Sequence, residues 1–410
     1  TLEVAFNGIP GVPFIDSMDL NTSAGYPWVL KNKPTKKHLI TRTDDKITHI
    51  DPEFAQLYND EHAQRLKGHR PAVVFTDFPK DERLKPGKDT RLINGSPFTY
   101  TVEVRRYFID FVAAFQRSNF ANNIGVGMNT HGPHTTQLVK YLRSKGDCYI
   151  CGDYSNFGPT LDPDCVNDLA KLVNSWYDKN CPTNTEAANN IRTQLLADSA
   201  TAYHIVADNL YQVGSGSPSG SPLTVIVNSY VNLRYLCRSW LALTQKRPEY
   251  RSLDAFFANV AIVVYGDDVI MCTSAEIAEF FNNQTLSEYF ALIGIKYTDS
   301  SKTGTEPYCS FDHANFLKHT FRPHPGRPGQ YLAGLEPDLI YETPAWVRKS
   351  NDKRAATSEN IQAALYNAHG HGPMYYGKFA SDMRSLARKY ELTTDFPPWT
   401  TIDENFFGDL

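Results

Sequence analysis

Two adjacent carboxylates, Asp267 and Asp268, follow Tyr265-Gly266 in the middle of an apolar, β-branched run, with Val260-Ala261-Ile262-Val263-Val264 before them and Val269-Ile270-Met271-Cys272 after. A tight turn bearing paired carboxylates between two buried strands is a poor way to build a core and a good way to hold divalent cations. Gly-Asp is also an ordinary hairpin turn, so the chemistry needs a third carboxylate from another strand. Asp153 is the candidate. It ends the strand-like stretch Asp147-Cys148-Tyr149-Ile150-Cys151-Gly152, before Tyr154-Ser155-Asn156-Phe157-Gly158-Pro159 breaks the pattern. Carboxylates gathered there could hold two magnesium ions about 3.5 to 4 Å apart, which activates an attacking hydroxyl and stabilises a leaving phosphate. Considered alone, Asp153 reads equally well as a strand-end or helix-capping aspartate.

Two further groups of residues could supply such a site with a substrate. Lys80, Arg83, Lys85, Lys88 and Arg91 fall in one short segment, and Lys31, Lys33, Lys36 and Lys37 in another. A triphosphate needs several cations, and Lys80, Lys88 and Arg91 could neutralise the charge that builds on a departing pyrophosphate. A solvated basic loop is the plainer reading, and the better one for Lys85. The hydroxyl-rich Gly214-Ser215-Gly216-Ser217-Pro218-Ser219-Gly220 runs into Ser221-Pro222, a cap with a first-turn proline, and then a helix over Leu223 to Leu236. On that helix Thr224 and Asn228 share a face, with Ser219 in the loop above, and together they could read a sugar or a base. A simple cap for Ser219 and a packing hydrogen bond for Asn228 are the structural readings.

The frame that must position these groups is large. At 410 residues, 41% hydrophobic and 12% aromatic, the chain can bury a sizeable core, and length alone allows two or three domains. No run approaches the roughly 18 to 20 apolar residues of a membrane span and no signal segment opens the chain, so a soluble protein is expected, with membrane association only through partners. The net charge of −4 argues against a protein that coats nucleic acid, while leaving room for a local basic channel. The first residue is Thr1, which suggests release from a longer precursor or a trimmed chain. Seven cysteines without framework spacing suit a reducing compartment. Cys148 and Cys151 would point to opposite faces of a strand, as buried thiols rather than a zinc or redox pair.

Residues 1 to about 110 read as loops and short strands, and Val102 to Phe115 as a helix. Val166, Leu169, Val173 and Trp176 predict a helix behind the cap Asp162-Pro163. The hairpin Val260 to Cys272 comes next, then a helix over Ala275 to Ala291, a strand at Gly294 to Tyr297, a polar turn at Asp299 to Lys302 and a strand at Phe316 to Phe321. The Pro/Gly-rich Pro323 to Pro328 reads as a linker. Ile361, Ala364, Leu365 and Ala368 form one helical stripe ended by Gly370, and Phe379, Met383, Leu386, Ala387 and Tyr390 another.

In this order, the segments resemble the right-handed RNA-dependent RNA polymerases of picorna-like positive-strand RNA viruses, over nearly the whole chain. The resemblance implies an α+β right-hand polymerase fold. Its parts would be fingers at 1–110, palm at 111–189 and 214–323 with an antiparallel sheet backed by helices, a fingers insertion at 190–213, and a helical thumb at 324–410. Thr22-Ser23-Ala24-Gly25-Tyr26-Pro27 resembles the fingers motif beside the template channel, and Lys80 through Arg91, with Arg83 and Lys88, the basic motif over the incoming nucleotide. Asp153 matches the first palm aspartate, Ser219, Thr224 and Asn228 the ribose-sensing loop and helix, and Tyr265 to Asp268 the catalytic hairpin. Lys302 matches the lysine that protonates pyrophosphate; a surface lysine would look the same. Phe316-Leu317-Lys318 resembles the strand that grips the growing 3′ end.

The resemblance further implies catalysis by Asp153, Asp267, Asp268 and Lys302, two magnesium ions on the three aspartates with manganese able to substitute, and RNA template, RNA primer and NTPs as ligands. It also implies a uridylylated peptide primer, other viral replication proteins as partners, and work in the host cytoplasm within membrane-associated complexes. Two departures stand out. Gly158 takes the place of a second aspartate that helps recognise the ribose 2′-hydroxyl, which leaves that task to Ser219, Thr224, Asn228 or Asn156. Asn156-Phe157-Gly158-Pro159 is closer to insect-infecting members, iflaviruses especially. The chain also starts only some twenty residues before the template-channel motif, so the family's fingers-thumb bridge is expected to be missing from it. A reverse transcriptase or DNA polymerase would use the same carboxylates, and an RNA-binding scaffold would carry a degenerate set.

Overall fold

β-Branched and apolar side chains fill both strands that flank the carboxylate turn, and these strands are buried throughout: Val260 to Val264 are 0% exposed and Val269 to Cys272 no more than 1%. A strand covered on both faces reads as a continuous apolar run rather than an alternation. The computed structural model describes residues 1–82, 84, 87, 89–300, 306–347 and 350–408. Its chain divides into two compact units, one of Thr1–Val126, Ser155–Leu236 and Val264–Asp267, the other of Gly127–Tyr154, Cys237–Val263 and Asp268–Leu410.

A four-stranded sheet runs in the order Tyr297–Asp299, Cys148–Tyr154, Asp268–Thr273, Val260–Tyr265, and all of it but Val264 and Tyr265 belongs to the second unit. The Cys148–Tyr154 strand pairs antiparallel with Asp268–Thr273 from Cys148↔Thr273 to Gly152↔Val269. On its other edge Asp153 lies opposite Thr298 and Gly152 opposite Asp299. The register therefore carries Asp153 to the same end of the sheet as Asp268, one step past the last pair. Gly152 is fixed by a close approach, since a Cβ there would sit 1.8 Å from the Tyr297 hydroxyl oxygen. A three-stranded antiparallel sheet, Asn315–Phe316, His319–Pro323 and Tyr331–Leu335, follows. Three helices close the unit, at Lys353–His369, Pro373–Lys389 and Trp399–Phe407, around Ile361, Leu365, Phe379, Met383 and Ile402.

In the first unit another four-stranded sheet runs Leu92–Gly95, Val74–Pro79, Tyr203–Val206, Asn209–Gln212, with the two central strands parallel. Its main helices are Pro52–Leu66, Phe98–Arg117, Pro163–Asn180 and Glu186–Ala200, and the Thr224–Leu243 helix begins in this unit. Asp162 caps the third as expected, accepting the Asp164 N–H at 2.9 Å, with Pro163 at the first helical position.

Several expectations need correction. The first 110 residues hold a fifteen-residue helix at Pro52–Leu66 rather than only loops and short strands. It buries only Phe54, Tyr58 and Arg65, too few apolar residues to show a period. Tyr177, not Trp176, completes the buried stripe of the Pro163–Asn180 helix. The Thr224–Leu243 helix starts one residue later than expected and runs seven further, because Ser221, Pro222 and Leu223 form a turn. Ala275 to Ala291 is two helices, Ala275–Ala278 and Asn283–Leu292, divided where Asn282 caps the second by accepting the Gln284 and Thr285 N–H groups. The strand expected at Gly294 lies at Tyr297–Asp299, after Gly294 turns with φ +77°.

Phe316 to Phe321 is not one strand but a hairpin, with Leu317 and Lys318 at its tip. Pro323 to Pro328 belongs to a second hairpin instead of a linker, since His319–Pro323 pairs with Tyr331–Leu335. Leu386 and Tyr390 are exposed at 40% and 54%, and Tyr376 and Ala380 take their places in the stripe. Cys148 and Cys151 are buried thiols, as expected. Among the described residues no helix is long and apolar enough to cross a membrane.

Gly152→Ala forces a methyl into the Tyr297 ring, so it is expected to destabilise the fold by about 3 kcal/mol, as overpacking does. A urea unfolding midpoint equal to that of the parent protein would refute this reading of the sheet.

Candidate active site

The first unit positions the turn. Gly266 adopts φ +62°, and a Cβ there would meet nothing within 4 Å, so backbone conformation rather than space selects glycine. Its N–H donates to Ser229 Oγ at 2.8 Å, and its carbonyl accepts from Asn232 Nδ2 at 3.1 Å. Ser229 in turn donates to Val225 O at 2.6 Å. Both side chains are 0% exposed, polar groups buried in a helix where an apolar residue would otherwise pack. The strand leading in is held as well, with Gly125 N–H on Val264 O at 2.8 Å and Val264 N–H on Asn123 O at 3.1 Å.

The second unit holds Asp153 and Asp268. An Asp268 carboxylate oxygen, Oδ2, accepts the Leu317 N–H at 2.7 Å. That amide points inward because Leu317 and Lys318, at φ +53° and +60°, form a two-residue reverse turn of left-handed backbone. Burial, with smaller contributions that include Asp153 and Asp268, raises the Tyr297 hydroxyl far above a tyrosine's usual pKa, so both carboxylates lie within electrostatic reach of one ring. The donors are all oxygen, which suits a hard cation such as magnesium. Among the described residues no three His, Cys, Asp or Glu side chains are already gathered for a metal. Magnesium tolerates this, because it takes one or two carboxylates and completes its shell with water and substrate phosphates.

The basic segment is partly assembled in the first unit. Lys80 and Arg91 meet across the end of a hairpin, with Lys80 N–H on Arg91 O at 2.8 Å. Glu82 lies between them, accepting from Arg91 Nε at 2.8 Å and also from Arg91 Nη2, with Lys80 Nζ at 3.5 Å. The Arg91 hydrogen bonds bring the Glu82 carboxyl down to about 2. Glu82, and more weakly Asp267, hold the Arg91 guanidinium more firmly protonated than usual. Arg83, Lys85, Lys88 and Lys302 lie outside the described residues.

Ser219 is not a helix cap: its Oγ accepts the Asn94 N–H at 3.0 Å. Thr224 turns its hydroxyl back on the loop, with Pro218 O at 2.6 Å and Ser221 O at 2.8 Å. Asn228 does not make the packing hydrogen bond through its oxygen, because Oδ1 is buried with no partner among the described residues. At Gly158 a Cβ would make only an ordinary contact, 3.5 Å from Ser217 O, so the backbone does not demand glycine. Within the template-channel motif Ala24 and Gly25 are buried, Ala24 O accepting the Phe98 N–H at 3.0 Å, while Thr22 is exposed and Ser23 and Tyr26 half-buried. Sequence reasoning missed Ser229, Asn232, Asn94 and Glu82. Ser229 and Asn232 carried a signal, as polar residues one and four places after Asn228 in an apolar helix; Asn94 carried none.

Residues 2–387 match the family model described as viral RNA-dependent RNA polymerase. The chain is 30% identical over 422 residues to the genome polyprotein of Deformed wing virus, an iflavirus, covering 98% of this chain and 14% of the polyprotein. It is 31% identical to the genome polyprotein of Ectropis obliqua picorna-like virus, covering 99% of this chain and 13% of that one. It thus spans a small part of these relatives' length. The solved structure of the Sicinivirus 3Dpol RNA dependent RNA polymerase superposes with a TM-score of 0.79 at 22% identity, over 99% of this chain and 80% of that chain. The fold is the right-hand polymerase fold.

Ser229→Ala leaves the buried Gly266 N–H unpaired, so unfolding free energy should fall by about 1 to 3 kcal/mol. Chemical denaturation beside Ser229→Thr, which keeps the hydroxyl, checks this; equal losses in both variants would assign the effect to packing instead.

Proposed function

From the chain's membership of the viral RNA-dependent RNA polymerase family, we propose that it extends an RNA 3′ end on an RNA template, joining nucleotides from NTPs as part of genome replication by a picorna-like virus. The observation that carries this reading is the sheet register that sends Asp153 and Asp268 to one end of adjacent strands, with Asp267 next in the chain. Two magnesium ions bound by Asp153, Asp267 and Asp268 would supply an acidified primer hydroxyl and counter-charge for the triphosphate, and manganese would serve similarly.

The chain's own residues do the positioning. Ser229 and Asn232 fix the two peptide groups of Gly266, just before Asp267, and the Leu317 amide orients Asp268. In-line transfer draws most of its barrier reduction from such alignment and from charge neutralisation. Arg91 and Lys80 balance the negative charge of the leaving pyrophosphate, and Lys302 gives it a proton. Asn228 offers an amide oxygen that a sugar hydroxyl can satisfy. Base pairing selects the nucleotide, while the duplex is held through its backbone. Thr22, Ser23 and Tyr26 contact template, and the Phe316 to Lys318 turn contacts the growing end. A peptide primer and other viral replication proteins are proposed partners, in membrane-associated complexes of the host cytoplasm.

The test is primed oligo(rA) with UTP and magnesium. Incorporation by the parent protein, reduced about a hundredfold or more in Asp267→Asn, is expected. Equal incorporation by both proteins, or none by either, would sink the assignment. Preference for dTTP over UTP would replace it with DNA synthesis.

A further inference from the structure

The hydroxyl of Ser219 is wired to a buried carboxylate 142 residues earlier in the chain, and the wiring settles which way its proton points. Asp77 is 5% exposed and anchors a polar cluster: the Tyr211 hydroxyl donates to Oδ2, and His204 Nδ1 faces Oδ1 at 2.9 Å. Asn94 Nδ2 donates to the same Oδ1 at 2.6 Å. A carboxylate in that setting takes donors, so the Asn94 amide has one orientation, nitrogen toward Asp77 and oxygen away. The oxygen faces Ser219. Asn94 Oδ1 accepts the Ser219 N–H at 3.0 Å and the Ser219 hydroxyl at 3.2 Å, while Asn94 N–H donates to Ser219 Oγ at 3.0 Å. Gly220 locks the register, since a Cβ there would lie 2.0 Å from Asn94 O.

Ser219 Oγ therefore has its proton committed and one lone pair used. What remains is a single acceptor on an exposed residue. Gly158 can offer no side-chain acceptor.

We infer that Asn94, oriented by Asp77, is a specificity-positioning residue that makes Ser219 an obligate hydrogen-bond acceptor for the 2′-hydroxyl of the incoming ribonucleotide, the acceptor that Gly158 lacks. This rests on the polymerase reading. It follows that the sugar is chosen by whether its 2′ substituent can donate. Hydroxyl and amino groups donate, whereas hydrogen and fluorine do not.

The test compares UTP with its 2′-amino, 2′-fluoro and 2′-deoxy analogues on primed oligo(rA). The parent protein should favour the two donors over the two non-donors. In Asn94→Ala the preference for UTP over 2′-fluoro-UTP should fall about tenfold, the scale of one hydrogen bond, through KM more than kcat. Ser219→Ala should lose the same preference, and the double variant no more than either. Melting temperatures identify any variant that fails to fold, in which case Ser219→Ala and the parent protein's four-substrate profile decide the matter. Equal losses on all four nucleotides in Asn94→Ala would make Asn94 merely structural and overturn the inference. So would a parent protein that treats 2′-fluoro as it treats 2′-hydroxyl. No UTP incorporation by the parent protein would instead remove the polymerase reading, and this inference with it.

Discussion

One residue in this chain, Gly266, is held through both of its peptide groups. The Gly266 N–H and carbonyl are both spoken for by Ser229 and Asn232, three residues apart on one helix and fully buried. A glycine with φ +62° could otherwise sample many conformations. The two hydrogen bonds remove that freedom where a carboxylate pair begins. The same helix carries Thr224 and Asn228 just upstream of Ser229, so the residues proposed to read a sugar and those that fix the turn ride on one rigid rod.

The other unit solves a related problem with a backbone group. Asp268 accepts a hydrogen bond from the Leu317 amide, and that amide is aimed at it by two consecutive residues of left-handed backbone at a hairpin tip. Elsewhere the charges are balanced in place. Arg91 and Lys80 share Glu82, so an arriving polyanion meets cations that already have a partner and must compete for them.

The sequence made the carboxylate-bearing hairpin plain because paired carboxylates interrupted two apolar, β-branched runs, and Asp162-Pro163 announced its helix for equally local reasons. What it hid was of two kinds. The Pro52–Leu66 helix is polar nearly all round, and the Leu317-Lys318 turn lacks the Asn or Gly that usually marks left-handed backbone. Contacts between distant segments formed the second kind. Asn94 meets Asp77 across two strands and Ser219 across 125 residues, and no spacing rule connects them. The order of motifs placed the chain in its family before any of these contacts was visible. Gly158 marked where the family's acceptor is lacking, while the Asn94 contact with Ser219 proposed in its place gave no sign.

Gly152 and Tyr297 illustrate how closely the sheet is fitted around its carboxylates. The ring occupies the space that any side chain at 152 would need, and its hydroxyl is within electrostatic reach of both Asp153 and Asp268. Neither position can drift alone over evolutionary time. A lineage that enlarges residue 152 must first shrink residue 297, and on the way it would pass through an intermediate with a hole beneath its own carboxylates. The pair is thus a ratchet on sequence change, and related chains should be found to keep both residues or to have exchanged both.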